Sequence, residues 1–440
     1  MINLRERDRI VPKAACIPIG EAEFPSPFYP GVEYAAPARG PWNIVHVGML
    51  LPESHQIFVC AQGCLRGVVL TAAEMGASGR FSTIAVRENN VTDGDMEELI
   101  INGVRDVLSK LKKKPRAVLV FTSCIHHFTG CDLSYVYRKL RESFPDIDFT
   151  DCYMTPILRK TKISPDSKMR MQLYSLLRPG DVTADAVNFI GNITETLKDS
   201  EIVKLISSAG LEIRDICSCK SYDEYLKMAE SRLNISYNPA AKQAGDELSR
   251  RLKRKHLYLP LSYDAKEIEA SLNTLSNELQ VPPMDLSEYK ERAEKELKKT
   301  AELLSGTEIA IDYTATPRPL GLASLLLDNG FNVSSVYADS FTPEEKEVFF
   351  RLKEKHGELK IYATTDPKMP FSVGNNASVL AIGQKAAYFT GTRHFVNLLE
   401  GGGLYGFAGI CRLMELMREA YLEEKDTKSI IQVKGWGCCA

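Results

Sequence analysis

The stretch Ala117-Val118-Leu119-Val120-Phe121-Thr122-Ser123-Cys124 is a short apolar run that ends in a polar turn and a cysteine. An upstream run, Gln56-Ile57-Phe58-Val59, is followed by Cys64, which precedes Cys124 by 60 positions. Between them lie a strand-like segment (82–90) and then a helix-like segment (93–111). Strands that alternate with helices predict a parallel sheet covered by helices. Such sheets bind ligands beyond the carboxyl ends of their strands, which is where both cysteines are expected.

The composition narrows the class of protein. The chain has 440 residues, more than one hydrophobic core usually serves, so two to four domains are expected. Apolar residues make up 44% and charged residues 25%, which is typical of folded globular domains. The net charge of −2 gives no electrostatic reason to expect nucleic acid or an anionic membrane as a partner. The charged first residues and the absence of a long apolar run predict a soluble, cytoplasmic protein without a membrane span.

Alternating strand and helix patterns continue along the chain and predict an α/β fold. The N-terminal region is rich in proline and is expected to be an extended arm. In the first α/β domain, strands are predicted at 45–47, 56–59, 83–86 and 118–121. The predicted organisation is an arm (1–42), an α/β domain that contains Cys64 and Cys124 (43–160), a second α/β domain (161–284), a connecting helix (285–305), a third α/β domain (306–425) and a tail with cysteines (426–440).

Eleven cysteines are the unusual feature of the composition. The length of the chain and its lack of a signal sequence predict reduced thiols and no disulfide framework. A single free cysteine also packs as a small apolar residue, so most of them need no function. Two thiols on neighbouring strand-to-loop turns, Cys64 and Cys124, are different because together they suit a soft metal centre.

Several segments resemble the nitrogenase component 1 family. That family includes the subunits of nitrogenase, its cofactor-scaffold relatives, dark-operative protochlorophyllide reductase and nickel-sirohydrochlorin reductive cyclase. The resemblance spans roughly residues 40–425 and rests on the order and spacing of several short pieces. These are Ala61-Gln62-Gly63-Cys64, Ser82-Thr83, Val91-Thr92-Asp93-Gly94, Thr122-Ser123-Cys124-Ile125, Gly130-Cys131-Asp132-Leu133, Met154-Thr155-Pro156 and Tyr405-Gly406-Phe407-Ala408-Gly409.

The resemblance implies three tandem Rossmann-like parallel-sheet domains of the nitrogenase component 1 type. It also implies that Cys64 and Cys124 bind an iron–sulfur cluster at an interface between two homologous subunits. Nitrogenase members have a further cysteine upstream, but residues 34–40 of this chain contain none. Either Cys16 or Cys60 substitutes for it, or the ligand set is smaller. This difference favours a [4Fe–4S] cluster over an eight-iron cluster.

Other residues have two interpretations each. His394 falls about where the family has a histidine that binds a cofactor, but it is also explained as an ordinary polar residue. Gly401, Gly402 and Gly403 permit close approach of the backbone to a cofactor, a substrate or another chain. Cys217 and Cys219 form either a loop with incidental thiols or a metal or redox pair. The tail cysteines, Cys438 and Cys439, either reach a site or have no role.

The function implied by the resemblance is that of a nitrogenase-like reductase subunit. An ATP-dependent iron-protein reductase would deliver electrons to the cluster, and the electrons would pass to a small-molecule substrate or a further metallocofactor in an interdomain cleft. The chain has no phosphate-binding loop of the Gly-x-x-x-x-Gly-Lys-Ser/Thr type, so the partner would hydrolyse ATP. The second subunit is either a homologue or a copy of the chain. Two alternatives stay open, a scaffold that assembles a metallocofactor and an α/β binding protein with incidental cysteines. The substrate and the catalytic residues are not predicted.

Overall fold

The computed structural model describes residues 15–29, 31, 33–34, 44–155, 163–372, 374, 376 and 378–431. Three sheets, built almost entirely from parallel strands, form its framework. The strands are β1 (Cys16–Pro18), β2 (Ser54–Ala61), β3 (Phe81–Val86), β4 (Ala117–Ser123), β5 (Asp148–Met154), β6 (Ala184–Phe189), β7 (Glu212–Asp215), β8 (Ser231–Ser236), β9 (Lys255–Tyr258), β10 (Glu308–Asp312), β11 (Asn332–Tyr337), β12 (Lys360–Tyr362), β13 (Leu380–Ile382) and β14 (Phe395–Val396).

Helices connect these strands and cover the sheets. They are α1 (Ile44–Met49), α2 (Gln62–Glu74), α3 (Glu88–Asp93), α4 (Met96–Lys110), α5 (Cys124–Phe128), α6 (Leu133–Ser143), α7 (Pro165–Leu173), α8 (Glu201–Ser208), α9 (Tyr222–Lys227), α10 (Lys242–Leu252), α11 (Ala265–Leu279), α12 (Ser287–Leu303), α13 (Pro319–Asp328), α14 (Lys346–Lys355), α15 (Gln384–Thr390), α16 (Gly406–Leu422) and α17 (Thr427–Ile430). None of the helices in the described ranges is both long and apolar enough to cross a membrane.

The chain divides into two compact units. The first consists of Met1–Gly40, Thr196–Leu205 and Leu261–Ala440, and the second of Pro41–Glu195 and Ile206–Pro260. The first unit holds one sheet and the second holds two. The α/β class with Rossmann-like parallel sheets is therefore confirmed. The six segments into which the sequence was divided stay a prediction.

The sheet that carries the cysteine turns has the order β3-β2-β4-β5 and is entirely parallel. The side chains of β2 and β4 are buried on both faces, which explains why these strands have continuous apolar runs. Phe58 and Phe121 are opposite each other in the register and their rings stack with centroids 4.1 Å apart. This packing fixes β2 beside β4 and aligns the ends of the two strands.

The strand predicted at 45–47 is wrong, because these residues belong to helix α1. Gln56 Nε2 donates a hydrogen bond to the Val45 carbonyl at 3.0 Å, which ties the helix to β2. Gly48 lets the helix come this close, since a Cβ at that position would lie 2.6 Å from Gln56 Nε2. Two valines on either side of His46 are too short a pattern to distinguish a strand from a buried helical turn, and here the contact with β2 favours the helix.

The other sheet of the second compact unit has the order β7-β6-β8-β9 and is also parallel. Buried asparagines on its two central strands are paired, with Asn188 Nδ2 donating to Asn234 Oδ1 at 2.8 Å. Asn188 Nδ2 also donates to the Met228 carbonyl. Asn188 Oδ1 and Asn234 Nδ2 have no hydrogen-bond partner among the described residues, so this buried pair is only partly satisfied.

The sheet of the first unit has the order β1-β12-β11-β10-β13-β14. The chain continues from β10 to β11 and β12 on one side of the sheet and then to β13 and β14 on the other side. The carboxyl end of β10 is therefore a topological switch point. β1 is antiparallel to β12 at the edge, with Cys16 opposite Tyr362. Part of the proline-rich arm thus completes a sheet, and the rest of the arm lies largely outside the described residues.

A buried carboxyl group stabilises the start of helix α13. Glu345 Oε1 accepts hydrogen bonds from the backbone N–H groups of Leu320 and Gly321, at 2.7 and 2.9 Å. The side chain is fully buried, and burial raises its pKa from the ordinary 4.5 to about 8. The folded protein therefore keeps a proton on Glu345 at a pH where the unfolded chain has lost it.

Replacing Glu345 with glutamine is expected to flatten the pH dependence of stability. Between about pH 4.5 and 8 the native protein loses stability as pH rises, because only the unfolded chain ionises this carboxyl group freely. Glutamine keeps the acceptor for Leu320 and Gly321 and has no proton to lose. Urea unfolding of the wild type and of Glu345→Gln across this range tests it. The exposed Glu347→Gln on α14 is the control and should follow the wild type. Parallel pH profiles for wild type and Glu345→Gln would contradict the prediction.

Candidate metal centre

Three cysteines lie together at the carboxyl edge of the sheet β3-β2-β4-β5. Cys60 is near the end of β2, Cys64 is in the first turn of α2, and Cys124 begins α5 directly after β4. The parallel register of β2 and β4, which pairs Val59 with Thr122, brings the ends of the two strands side by side. Burial raises the pKa of the Cys60 thiol to about 12, and negative charge on Cys64 and Cys124 contributes to this rise. The Cys60 sulfur is therefore near enough to each of the other two thiols for their charge to affect its pKa.

The three thiols differ in accessibility. Cys64 is exposed, Cys124 is half-buried and Cys60 has no exposed surface. Cys60 packs in the core with Phe58 and Phe121, whereas the other two thiols open to the surface. The structure thus brings together the two residues that the sequence placed on neighbouring turns, and it puts Cys60 behind them.

The donor set of this edge fits part of a thiolate site for iron. Thiolates are the usual ligands of iron–sulfur clusters, and two accessible ones lie on adjacent turns. Among the described residues, no group of three or more histidine, cysteine, aspartate or glutamate side chains has the arrangement of a metal site. Two accessible thiolates are fewer than the four of a usual iron–sulfur site, so the described residues supply only part of such a donor set.

Cys16, the other candidate for an additional ligand, lies on β1 in the first compact unit. Burial raises the pKa of its thiol, which is hydrogen bonded to the Tyr362 side chain. Its role as a ligand stays a prediction.

His394 is held by the backbone of its own unit. Its Nδ1 lies 3.0 Å from the carbonyl oxygen of Ala420, which fixes the ring and leaves Nε2 as the nitrogen with a free lone pair when the imidazole is neutral. The backbone N–H of His394 donates to Thr392 Oγ1 at 3.1 Å. The side chain is half-buried.

The triple glycine forms a loop with left-handed backbone at every position, with φ of +84°, +55° and +72° for Gly401, Gly402 and Gly403. Gly401 N–H donates to the Ala315 carbonyl at 2.7 Å, and the Gly403 carbonyl accepts from Leu197 N–H at 2.9 Å. At Gly402 a Cβ would lie 2.2 Å from Leu398 Cδ1. These contacts with the same chain are one physical reason for three consecutive glycines.

Comparison with known proteins identifies the family. The chain matches the family described as nitrogenase component 1 type oxidoreductase over residues 45–421. The chain belongs to this family. The structure is similar to that of nitrogenase Cp1 at pH 6.5, with a TM-score of 0.67 and 14% identity over 91% of this chain and 95% of that chain. Nitrogenase Cp1 at pH 5 gives a TM-score of 0.58 and 12% identity, covering 96% and 98% of the two chains. No curated protein sequence matches the chain.

These findings confirm the resemblance drawn from the sequence and make the chain a nitrogenase component 1 type oxidoreductase in family and fold. At such low identity the likeness to the solved nitrogenase structures shows the fold alone. The roles of Cys64, Cys124 and the other candidate residues stay predictions.

A histidine next to the cysteine turn of this nitrogenase component 1 type protein is buried without a complete set of partners. Only 1% of His126 is exposed, and burial lowers the pKa of its imidazole. The Ser123 backbone N–H donates to Nδ1 at 3.2 Å, while Nε2 has no hydrogen-bond partner among the described residues. The sequence gives no signal of this burial, because a histidine that follows a cysteine turn looks like an ordinary polar residue of a loop.

Glu97 is a residue near the site that sequence reasoning did not find. It lies on α4, accepts a hydrogen bond from Asp132 N–H at 2.6 Å and is hydrogen bonded to the Cys131 thiol. Burial and the charge of Glu97 raise the pKa of Cys131 to about 12. Glu97 precedes the cysteine turn by a whole strand and belongs to no motif, so only the fold reveals the contact.

The pair Cys217 and Cys219 follows β7, and both thiols are hydrogen bonded to backbone carbonyls. Cys217 Sγ donates to Asn192 O at 3.2 Å and Cys219 Sγ to Asp215 O at 3.4 Å. Burial raises the pKa of both thiols, to about 11 for Cys219. These contacts are typical of structural cysteines. Cys438 and Cys439 lie outside the described residues.

Proposed function

We propose that this chain is the cluster-bearing subunit of a nitrogenase-like, two-component reductase. The observation that carries the proposal is the convergence of Cys64 and Cys124 at one sheet edge, with accessible thiols, in a chain of the nitrogenase component 1 type. In this proposal their thiolates hold an iron–sulfur cluster, with [4Fe–4S] as the type that the small ligand set favours. When bound, the cluster supplies reversible one-electron transfer at low potential.

The residues around the two thiols prepare the site for such a group. Phe58, Phe121 and the buried Cys60 pack in one apolar core cluster, which forms a wall of low polarity at the strand ends beside the two accessible thiols. Solvent exposure, net charge and hydrogen bonds to the sulfur atoms set the potential of a bound cluster, so an apolar wall beside the thiols is one influence on it. Cys60 lies in this wall as a protonated thiol, and it becomes a third ligand only if it loses its proton.

A second chain is part of the proposal because the described residues of one chain supply only two accessible thiolates. Apolar side chains are exposed on both helices that carry the cysteines. Phe128, the last residue of α5, is 68% exposed, and Val69 on α2 is 42% exposed. Exposed apolar residues beside an incomplete ligand set favour an interface at this edge. The second chain is proposed to be a homologous subunit or another copy of this one.

The electron donor in this proposal is an ATP-dependent iron-protein reductase, as the family resemblance implies. ATP would be hydrolysed by that partner, because this sequence contains no phosphate-binding loop of the Gly-x-x-x-x-Gly-Lys-Ser/Thr type. The electron acceptor is a small molecule or a further metallocofactor, with His394 and the loop Gly401-Gly402-Gly403 as the candidate residues that bind it.

The decisive experiment uses protein purified without oxygen. The electron paramagnetic resonance spectrum is recorded before and after addition of an iron-protein reductase with ATP, and again with a non-hydrolysable ATP analogue as control. A cluster signal that changes only with ATP supports the proposal. A protein without iron would reject it. A cluster that is never reduced, on a protein that releases a metallocofactor to an acceptor, would instead indicate the scaffold function.

A further inference from the structure

A cavity of about 320 Å³ lies among the helices of the first compact unit. Its lining comes from the segment that leads into α11 and from α12, α13, α14 and α16. Cys64 and Cys124 belong to the other unit, so this cavity is not part of the candidate metal centre. Much of the lining is apolar and consists of the side chains of Ala293, Leu297, Leu325, Val348, Phe407 and Ile410.

Three carboxylates line the same cavity, and each comes from a different element. Asp264 caps the start of α11, Glu294 lies on α12, and Asp328 ends α13. Asp264 Oδ1 accepts hydrogen bonds from two backbone N–H groups of α11, and Asp328 Oδ2 accepts one from Ser324 Oγ at 3.2 Å. None of the three carboxylates forms an ion pair with a residue that the structure describes.

The cations of the lining are largely committed to other carboxylates. Lys290 is paired with Glu269 at 2.7 Å, and Arg318 with Glu267 at 2.5 Å. Neither of these glutamates lines the cavity. Arg351 is the remaining cation of the lining, so the charges outside these two pairs are three carboxylates and one arginine. The cavity therefore has an excess of negative charge beside its apolar walls.

We propose that this cavity binds a small organic amine in its ammonium form, with a compact apolar body. The ammonium group is held at the rim by Glu294 and Asp328, which are both exposed. The apolar body packs against Leu297, Leu325 and Phe407. Apolar walls with a few polar groups are the usual form of a small-molecule site. The excess of carboxylates attracts a cation and repels an anionic ligand such as a carboxylate or a phosphate.

An organic ammonium ion suits this lining better than a metal ion does. Metal ions such as Ca²⁺ need six or more oxygen ligands that converge on one point. Among the described residues, no acidic, histidine or cysteine side chains have that arrangement. An exposed carboxylate contributes little to binding by itself, so the apolar walls supply most of the affinity and the charge determines selectivity. The proposal does not depend on the proposed electron-transfer function.

The probe is 2-phenylethylamine, with the neutral 2-phenylethanol and the anionic phenylacetate as controls of similar shape. Calorimetric titration of the full-length chain is expected to show saturable binding of the amine. The alcohol is expected to bind about five- to twentyfold more weakly, and phenylacetate should show no saturable binding. Added sodium chloride should weaken binding of the amine but not of the alcohol. Methyl NMR is expected to show amine-dependent shifts of Leu297, Leu325 and Ile410.

The double variant Glu294→Gln, Asp328→Asn removes two charges and nearly preserves the shape of the rim. It is expected to weaken amine binding by up to about fivefold for each carboxylate and to leave alcohol binding unchanged. Glu291→Gln removes an exposed charge from α12 outside the lining and should bind the amine as the wild type does.

Thermal unfolding without ligand establishes that these variants are folded. If the double variant does not fold, the comparison of the three probes in the wild type decides the matter. Absence of saturable amine binding, equal binding of amine and alcohol, or saturable binding of phenylacetate would each overturn the proposal. The same holds if the folded double variant binds the amine normally, or if Glu291→Gln weakens binding as much as the double variant does.

Discussion

Replacing Cys64 and Cys124 together with alanine is expected to remove essentially all bound iron and sulfide from protein purified without oxygen. The two thiols are the accessible donors of the candidate metal centre, and a cluster that loses both ligands from one chain has too few left. The fold should persist, because Cys64 is exposed and Cys124 is half-buried, so neither fills the core. Iron and sulfide analysis per chain, together with the electron paramagnetic resonance spectrum, measures the loss.

Cys152→Ala provides the matched control for this double variant. Cys152 lies on β5 of the same sheet, is fully buried and packs in the core with Phe58 and Phe121. Its replacement should lower the free energy of unfolding by about 1 kcal/mol and leave the iron content unchanged. Full iron content in the Cys64→Ala, Cys124→Ala variant would reject the proposed site.

The single variant Cys60→Ala distinguishes whether Cys60 is a cluster ligand or only a buried core residue. If the cluster uses only the two accessible thiols, Cys60→Ala should retain iron and lose only the packing of a buried residue. Loss of iron from Cys60→Ala, with an unchanged circular dichroism spectrum, would show that the buried thiol is deprotonated and serves as a third ligand. The measurement matters because burial raises the pKa of this thiol, whereas a ligand must give up its proton.

The sequence predicted the sheets well wherever strands are buried on both faces. β2 and β4 extend the runs predicted at 56–59 and 118–121 by one or two residues at each end, since burial on both faces makes a strand continuously apolar. β5 was not predicted as a strand. It is an edge strand, and its polar residues Asp148, Thr150 and Asp151 interrupt the apolar pattern by which a strand is recognised. Only its parallel pairing with β4 in the structure identifies it as a strand.

The candidate site was predictable only in part. The position of Cys64 and Cys124 after neighbouring strands follows from chain order, because parallel strands present their carboxyl ends at one edge. The burial of Cys60 and His126 depends on packing between strands and is not visible in a single sequence. The contact of Glu97 with Cys131 joins residues from separate elements, and no local pattern records it.

Replacing Gly406 with alanine is expected to lower the free energy of unfolding by roughly 3–5 kcal/mol, which is large for a single added methyl group. Gly406 begins α16 with φ of +74°, a conformation that disfavours any residue with a Cβ. The Cβ itself would lie 2.1 Å from Glu201 Oε2. This carboxylate cannot easily move, because it is fully buried and its Oε1 accepts a hydrogen bond from Ala408 N–H at 2.9 Å.

Gly330→Ala separates backbone strain from the steric clash. Gly330 has φ of +80° in the same unit, but an added Cβ would meet nothing within 4 Å. Its replacement is expected to cost only about 1 kcal/mol, the usual cost of a left-handed backbone for alanine. Urea unfolding of both variants at one pH gives the comparison, and the difference between them measures the clash with Glu201.

A third variant tests whether the carboxylate is the cause. In the Glu201→Ala background the added methyl group at Gly406 no longer meets an oxygen, so the further cost of Gly406→Ala should fall to about that of Gly330→Ala. An unchanged cost in that background would show that Glu201 is not the obstacle. The glycine of the segment Tyr405-Gly406-Phe407-Ala408-Gly409 would then be required by backbone conformation alone. If the cost falls, the glycine is required because a buried carboxylate caps the long helix α16 at the point where the chain turns into it.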